Sequence, residues 1–482
     1  MERMPFESVG ESPKVAAVSA SMAEAVPVTG PTALPETAQA VPPSPEAQAV
    51  TTGPDAADVP VAAPARHRHR PTLRPVRIGV RVHTIDSLRH RNFRLLWTAT
   101  LLAGGAGWTH QVVIGWLIFY MTQSALLTSL ALGLGALPFL FVGPVAGVLV
   151  DGWDRRKLLA LSFGYQATIT AGFAGLLVMG RIETWHMFAF VLATGLSSAI
   201  LHPATTSLLP NTVPRESLLN AFALSSLAFN VTRLTVPAVG GLSIALMGPG
   251  RTVLLAVALL LGATMATLAL RVEDTSEEGR RPRSVARFLE GARYIKGEPL
   301  VLAMLLMGVL PTILVFPFVQ GLMPVYASQV FGAGPVGLGL LLSALGAGAT
   351  MGTFLLASVG NVRHKGRILF VALALTTALM VAFSRSTSMG LALPILMFFG
   401  GSLSSFFTVS SASIQSIVPD RLRGRVSSLA AMSLGLMPVG GLLAGGLAEL
   451  VGAPSATLAA GALLAAIWLG LSLKLRLVWR FG

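Results

Sequence analysis

The sequence predicts an all-α membrane protein with twelve transmembrane helices in two six-helix bundles, preceded by a disordered tail. Three observations predict this fold class. Of the 482 residues, 53% are hydrophobic and only 12% are charged, whereas about a quarter of the residues in soluble domains are charged. Apolar runs of about 20 residues recur, and each is long enough to cross a hydrocarbon core of about 30 Å. These runs fall into two series of six, separated by a charged segment.

Residues 1–85 are predicted to form a disordered cytoplasmic tail, because they are rich in Ala, Pro, Val and Glu and show no apolar periodicity. They also lack the basic start, apolar middle and small-residue cleavage site of a signal peptide. The tail ends in a basic stretch from Arg66 to Arg81, next to the first apolar run. These charges either bind anionic lipid or belong to a solvated linker that only follows the membrane topology.

The apolar runs predict the transmembrane helices in order along the chain. The first series lies at about 94–120, 127–150, 158–180, 185–209, 218–247 and 250–270. The second series lies at about 300–327, 335–358, 367–386, 389–413, 426–448 and 453–474. We therefore predict an N-terminal bundle at 86–270, a C-terminal bundle at 300–482 and a cytoplasmic linker at 271–299. The middle of the linker, SVARFLEGARYIKGE, has the pattern of a short amphipathic helix at the membrane surface.

The positions of Lys and Arg support this count, since basic residues accumulate in the short cytoplasmic loops of membrane proteins. The loops on the opposite side contain only Arg181, Arg251 and Arg385. Both termini are then cytoplasmic, in a multi-pass protein of the cell membrane. The basic excess therefore indicates membrane orientation and not nucleic-acid binding. The loops placed in the cytoplasm contain Arg155, Arg156, Lys157, Arg215, Arg271, Arg280, Arg281, Arg283, Arg287, Arg293, Lys296, Arg363, Lys365, Arg367, Arg421, Arg423 and Arg425.

The two series of spans also repeat each other at a separation of about 200 residues, as parallel halves do. Three landmarks recur near this spacing. They are VPRE at 213–216 with VPDR at 418–421, PAVGG at 237–241 with PVGG at 438–441, and the basic loop at 147–159 with a loop at 361–367 that lacks the acids. The repeat indicates two related bundles in one chain.

A dense group of charges lies between the second and third apolar runs, at 147–159 (GVLVDGWDRRKLL). Its order, a small residue, an acid four residues later and then a mixed charged run, resembles the loop between the second and third spans of the major facilitator superfamily. That superfamily consists of membrane transporters. Here Gly152 follows the acid, where an arginine is usual. The residues that carry the resemblance are Gly147, Asp151, Asp154, Arg155 and Arg156.

Three further segments narrow the resemblance, at 90–102 (HRNFRLLWTATLL), 202–226 (HPATTSLLPNTVPRESLLNAFALSS) and 418–429 (VPDRLRGRVSSL). They resemble the branch that contains macrolide-efflux proteins and the enterobactin exporter, of the drug:proton antiporter type. The resemblance implies two six-helix bundles around a central cavity, which opens alternately to each side as the halves rock.

The resemblance also implies a cytoplasmic gate in the charged loop. Gly147 allows two helix backbones to approach closely. Asp151 is expected near the N-terminus of the eleventh helix, whose partial positive charge stabilises an anion. Arg155 and Arg156 either pair with Asp151, Asp154 or loop carbonyls, or only set the membrane topology.

Pro237, Gly240 and Gly241 in the fifth run resemble the antiporter signature of that span, although Val236 stands where a glycine usually precedes the proline. A proline frees a backbone carbonyl and permits bending, while glycines allow tight packing. The segment is therefore either an antiporter-like kink used in transport or a packing kink without a transport role.

Arg233 is the only Lys or Arg that we place at membrane depth. Because an unpaired charge in lipid is costly, Arg233 must face the cavity or backbone carbonyls. It attracts an anionic or polar substrate, stabilises the closed cavity, or forms a structural bond between helices. No Asp or Glu falls at mid-membrane, and Gly107 stands where relatives often carry an acid.

His110 and His202 are therefore the candidate proton carriers, because histidine titrates near neutral pH. The alternative is that each only packs between helices. Trp108, Gln111 and Asn230 either line the cavity or pack against neighbouring spans. The candidate cavity residues are Trp108, His110, Gln111, His202, Asn230 and Arg233.

These features predict a secondary active transporter that exports small amphipathic molecules, such as a drug, siderophore or secondary metabolite, with protons as the candidate coupling ion. No G-x-x-x-x-G-K-[ST] loop is present to bind ATP, and the absence of cysteine excludes thiol-ligated metal sites. We expect no enzyme activity, cofactor or metal, and a monomer whose partners are lipid and a small-molecule substrate. The alternatives are an importer or facilitator of the same fold, and a non-transporting membrane sensor or scaffold.

Overall fold

The computed structural model describes residues 86–272, 285–359 and 364–474. Within these ranges the side chains of 143–152, 285–289, 359 and 474 are not described. The tail predicted at 1–85 lies outside the described residues, as does the linker between 273 and 284. Every regular element in the described ranges is helical, which confirms the predicted all-α class.

The N-terminal half contains four helices that could each cross a membrane once, and a fifth that is much longer. The long helix, Leu218–Leu268, has 51 residues, whereas about 20 residues cross the hydrocarbon core. Gly248 interrupts it with φ 79° and ψ 165°, a conformation that favours glycine. We name residues 218–247 α5 and residues 249–268 α6. The four preceding helices are α1 (Arg91–Thr122), α2 (Ala125–Gly152), α3 (Arg155–Val178) and α4 (Thr184–Leu208).

Contacts near the start of α1 show that the chain reverses direction at Gly248. The hydroxyl of Ser87 donates to the carbonyl of Ser217, just before α5, at 3.1 Å. The side-chain amide of Asn92 donates to the carbonyl of Arg271, just after α6, at 2.8 Å. Therefore α5 begins and α6 ends at the same end of the bundle, as expected of two successive spans.

The C-terminal half supplies the other six spans. The first, α7 (Pro299–Val330), contains π-helical turns at Pro317–Gly321 and Tyr326–Val330, beside prolines that remove backbone donors. A connecting helix, Val285–Gly297, precedes it and lies within the stretch for which the sequence predicts an amphipathic helix. The remaining spans are α8 (Gly334–Val359), α9 (Lys365–Ser384), α10 (Met389–Ile417), α11 (Asp420–Val451) and α12 (Ala453–Lys474).

Eleven described helical stretches are long and apolar enough to cross a membrane, and the break at Gly248 divides one of them into two. The twelve predicted spans are thereby confirmed, while the boundaries of the two domains stay predictions. The eleventh span begins at Asp420, six residues before the predicted apolar run. Its charged first turn is held by Arg423, whose Nε donates to the carbonyl of Gln415 on α10 at 2.9 Å.

Successive spans alternate in direction, which defines two ends of the molecule. We call the end at which α1 begins the Arg91 end, and the end at which α1 finishes the Thr122 end. The N-termini of α3 and α5 lie at the Arg91 end, and the N-termini of α2 and α8 lie at the Thr122 end.

The two bundles contact each other mainly along α5 with α8 and along α2 with α11. A Cβ atom on Gly339 of α8 would lie 2.3 Å from the carbonyl oxygen of Pro237 on α5. Across the other pair of helices, a Cβ atom on Gly445 of α11 would lie 2.4 Å from Cα of Leu126 on α2. Only glycine allows backbones to approach this closely. Both contacts lie toward the Thr122 end.

Candidate functional site

A cavity of about 970 Å³ lies between the two bundles. Helices α1 to α5 line it from one side, and α7, α8, α10 and α11 line it from the other. Its lining runs from Leu209 and Phe222, near the Arg91 end, to Thr128 and Leu338, near the Thr122 end. A cavity of this volume accommodates a drug-sized molecule.

Five of the six candidate cavity residues line this cavity, and the sixth lies directly behind its wall. Trp108 is the one that does not line it, but its ring contacts the guanidinium group of a lining residue. The structure therefore brings the candidates on α1, α4 and α5 together around one space. The lining candidates are His110, Gln111, His202, Asn230 and Arg233.

Arg233 lies near the middle of α5 and is only partly buried. Its guanidinium carbon is 6.0 Å from the centroid of the Trp108 ring, at the distance of a cation–π contact. The Phe229 ring lies 6.4 Å from the same indole ring, measured between centroids. Among the described residues, no hydrogen bond or ion pair engages the guanidinium. This cation therefore faces the cavity with an aromatic ring beside it.

The two histidines have different surroundings. Nε2 of His110 lies 3.3 Å from Oγ1 of Thr170 on α3, and its ring packs edge-on against Phe190 at 5.0 Å between centroids. His202 is exposed and lines the cavity nearer the Arg91 end. His110 is thus fixed between three helices, whereas His202 is reachable by water.

The C-terminal bundle contributes polar side chains that were not predicted from the sequence. Gln320 of α7, Thr353 of α8 and Ser404 of α10 line the cavity, and the last two share a hydrogen bond of 2.8 Å. Gln320 could have been predicted to line the cavity, because an amide side chain inside an apolar run avoids lipid. Small hydroxyl residues occur in many spans and give no such signal. Among the described residues that line the cavity, none is Asp or Glu.

At the Arg91 end, the charged segment between α2 and α3 holds the helix ends of its own bundle together. The carboxylate of Asp154 caps α3 by accepting from the backbone N–H of Arg156 at 2.9 Å. Nη1 of Arg155 donates to the carbonyl of Ser207 on α4 at 3.3 Å. Nη2 of Arg156 donates to the carbonyl of Leu268 on α6 at 2.6 Å. Carbonyls at helix C-termini lack helical partners and carry the negative end of the helix dipole.

Gly147 and Asp151 belong to α2, but no side chain between residues 143 and 152 is described. The predicted contact between Asp151 and the eleventh span therefore falls outside the described residues. For Arg155 and Arg156, the observed contacts involve carbonyls of the N-terminal bundle. The described part of the charged segment thus links helices within the N-terminal bundle.

Pro237, Gly240 and Gly241 lie where α5 meets α8. The backbone N–H of Ala238 donates to the hydroxyl of Ser343 on α8 at 2.9 Å, so the proline segment is hydrogen bonded to the other bundle. A Cβ atom on Gly241 would lie 2.3 Å from a carbonyl oxygen of α8, whereas Gly240 faces α1. The torsion angles stay helical through this segment and depart only at the break between α5 and α6.

A carboxylate joins the two bundles at the Thr122 end. Glu449, near the end of α11, accepts hydrogen bonds from the hydroxyl of Ser124 and, at 3.1 Å, from the backbone N–H of Leu126. Both donors lie at the start of α2, where unpaired N–H groups and the helix dipole favour an anion. Glu449 thus caps a helix of the opposite bundle.

Comparison with known proteins places this architecture in a family. The profile of a family described as a transmembrane secretion effector matches residues 82–479. Macrolide efflux protein A of Streptococcus pyogenes is 26% identical over 372 residues, covering 73% of this chain and 88% of that protein. Multidrug efflux pump Tap of Mycolicibacterium fortuitum is 25% identical over 368 residues, covering 74% of this chain and 89% of that protein. Enterobactin exporter EntS of Shigella boydii is 26% identical over 374 residues, covering 75% of this chain and 86% of that protein.

Solved structures share the fold at low sequence identity. The nucleoside transporter NupG aligns with a TM-score of 0.63 at 12% identity, covering 81% of this chain and all of that one. A bacterial homologue of the human lysosomal transporter Spinster aligns with a TM-score of 0.59 at 16% identity, covering 81% and 96%. The resemblance inferred from the sequence is thus confirmed. The chain belongs to the transmembrane secretion effector family of the major facilitator superfamily and is a multi-pass membrane transporter.

Proposed function

We propose that this protein is a secondary active exporter that carries small amphipathic molecules out of the cell by alternating access. The observation that carries the proposal is the cavity of about 970 Å³ between the bundles, whose described lining residues include aromatic rings, amides and one cation. Such a wall suits molecules with an apolar body and a few polar groups. The relatives named for macrolide efflux, multidrug efflux and enterobactin export favour outward movement.

The direction of transport depends on which end faces the cytoplasm. Lys and Arg concentrate in the loops at the Arg91 end, which supports placing that end and both termini in the cytoplasm of a cell-membrane protein. Because close glycine contacts join the two bundles toward the Thr122 end, substrate would enter at the Arg91 end, from the cytoplasm. Release outside then requires the contacts at the Thr122 end to separate.

Two groups of residues are proposed to govern this change. The segment around Pro237 lies on the contact between α5 and α8, along which the bundles would part. The charged segment at the junction of α2 and α3 would close the cytoplasmic end when the cavity faces outward. The bonds from Arg155 and Arg156 to α4 and α6 support this role, because they make the segment move with its bundle. The proposed gate comprises Gly147, Asp151, Asp154, Arg155 and Arg156.

Protons are the proposed coupling ion, with His202 and His110 as their carriers. Both line the cavity, and no Asp or Glu stands among the described lining residues to take that role. A monomer is the proposed transporting unit, which is supported by a cavity lined by described residues of both bundles of one chain.

Drug accumulation in intact cells tests the proposal. The full chain is expressed in a bacterium that lacks its major efflux pumps, and the intracellular content of a compound panel that includes a macrolide and enterobactin is measured. We expect lower accumulation of one or more compounds, and restored accumulation on collapse of the proton gradient. Gly339→Leu should abolish the effect by separating α5 from α8, whereas Gly172→Leu, where a Cβ atom would meet nothing within 4 Å, should retain it.

Two other outcomes would contradict export. Higher accumulation of a compound in expressing cells would indicate an importer or facilitator. A phenotype lost on deletion of residues 1–80, together with no transport by the purified chain in proteoliposomes, would indicate a sensor or scaffold.

A further inference from the structure

The part of the cavity wall that the structure describes carries one permanent charge. Of the described residues that line it, Arg233 is the only Lys, Arg, Asp or Glu. Two described carboxylates that could balance it, those of Asp154 and Glu449, are remote, since they bind groups at opposite ends of the molecule. The cavity is therefore electropositive, and its low-dielectric wall strengthens the field of the single cation.

The guanidinium of Arg233 has free donors, unlike those of several arginines at the helix ends. Arg155 and Arg156 donate to helix-terminal carbonyls, and Arg425 pairs with Glu290. No described hydrogen bond or ion pair engages Arg233, and none of its nitrogens is among the sealed, unsatisfied atoms of the described structure. Its five N–H donors are thus reachable from the cavity.

Aromatic surface surrounds these donors. Trp108 lies beside the guanidinium at 6.0 Å, and Phe229, one turn before Arg233, is 57% exposed although it lines the cavity. Phe222 lies two turns further toward the Arg91 end on the same helix and is 45% exposed. Asn230 adds an amide to the same wall. A ligand that placed a charged group on Arg233 would therefore lay its body against aromatic rings.

We propose that the cavity selects amphipathic anions, in which a carboxylate, sulfonate or phenolate group is attached to an aromatic or apolar body. This inference rests on the exporter function proposed above and names its substrate class. An oxyanion satisfies the fork of guanidinium donors with charge-assisted hydrogen bonds. A protonated amine would be repelled by Arg233 and would meet no carboxylate among the described lining residues.

A structural role for Arg233 makes a different prediction. The backbone of Arg233 packs closely on α8, since a Cβ atom on Gly346 would lie 2.5 Å from its carbonyl oxygen. That contact does not involve the guanidinium. If the residue acted only through packing, neutral substitution would change the affinity for all ligands equally, whatever their charge.

Three ligands with one fluorophore test the proposal: dansylglycine, an anion; dansylamide, which is neutral; and dansylcadaverine, a cation. Binding to the purified full chain in a nonionic detergent is followed by dansyl fluorescence. We expect the anion to bind at least about tenfold more tightly than the cation. Arg233→Gln should lower the affinity for the anion about tenfold and change the affinity for the neutral ligand by less than about twofold. Arg233→Lys should keep most of the preference for the anion.

Arg181→Gln removes the same charge from an exposed position outside the cavity and should change none of the three affinities. Equal or tighter binding of the cation by the unmodified chain would overturn the proposal, and this comparison needs no variant to fold. Unchanged affinity of the anion in Arg233→Gln would also overturn it.

Transport in proteoliposomes separates this inference from the exporter function. Transport of the cation or the neutral ligand in preference to the anion would refute the charge selectivity and leave the exporter proposal intact. Selective binding of the anion without transport of any of the three would support the selectivity and contradict the exporter proposal.

Discussion

His202 and His110 border the same cavity but differ in their access to water. His202 is exposed, whereas His110 shares a hydrogen bond with Thr170 and packs against Phe190. A proton carrier must exchange with water on each side of the membrane during the cycle. On this ground His202 is the stronger candidate, and His110 is the residue more directly involved in helix packing.

Replacement of both histidines tests proton coupling. We expect the double variant His110→Gln, His202→Gln to lose efflux driven by a pH gradient, and His202→Gln alone to lose more than His110→Gln alone. The measurement is transport into or out of proteoliposomes with an imposed pH gradient. His364→Gln, which removes an exposed histidine before α9, serves as the control. Undiminished efflux in the double variant would remove both residues from the coupling mechanism.

The sequence located individual cavity residues better than it located their partners. Polar residues within apolar runs, such as Arg233 and Asn230, can be picked out because lipid excludes them. Their neighbours cannot, because Trp108 reaches Arg233 only through the packing of α1 on α5. The carbonyl partners of Arg155 and Arg156 were likewise hidden, since a sequence does not show which helix ends meet.

The helix pairs α5 with α8 and α2 with α11 determine how the two bundles fit at the Thr122 end. Glycines bring the backbones together, and Glu449 adds an anionic cap on the start of α2. The glycine pattern at 237–241 and 438–441 was visible in the sequence as a repeat. Its contact with the opposite bundle was not, because repeats show that halves are related without showing which surfaces they share.

Loss of the Glu449 cap should favour separation of the bundles at the Thr122 end. An N-terminal cap contributes about 1 kcal/mol, so Glu449→Ala should change the ratio of open to closed forms roughly fivefold. Because the chain has no cysteine, spin labels can be attached at Tyr120→Cys and Leu450→Cys, which replace side chains 64% and 82% exposed. Electron–electron distance measurements between the two labels should then show a larger population at long distance in Glu449→Ala than in the protein that keeps Glu449.

Glu183→Ala is the matched control for this measurement. Glu183 also lies at the Thr122 end, but its carboxylate accepts from Trp185 of its own helix. Its removal should leave the distance distribution unchanged. Equal shifts in both variants would mean that Glu449 acts through general charge and not through the cap.

At the scale of the whole molecule, span number and order followed from the hydrophobic pattern, because lipid imposes a fixed length on every helix. The chain reverses direction at Gly248, between the apolar runs predicted at 218–247 and 250–270, because each helix can be only as long as the membrane allows. The shape of the cavity did not follow, since it depends on how two bundles of similar composition meet. Gln320, Thr353 and Ser404 of the C-terminal bundle line the cavity only because the two bundles pack together in this way.

Alternating access requires the Thr122 end to open during transport, and this requirement can be tested by holding it shut. Ser124 and Glu449 contact each other across the bundles, so the double variant Ser124→Cys, Glu449→Cys can be joined by a short, reducible, thiol-specific cross-linker. We expect cross-linking to abolish transport in proteoliposomes and reduction of the linker to restore it. Substrate binding should persist in the cross-linked form, because the lining of the cavity also reaches residues near the Arg91 end. Treatment with the cross-linker should leave the transport rate of each single-cysteine variant unchanged, and unimpaired transport by the cross-linked protein would exclude rocking of the bundles at this end.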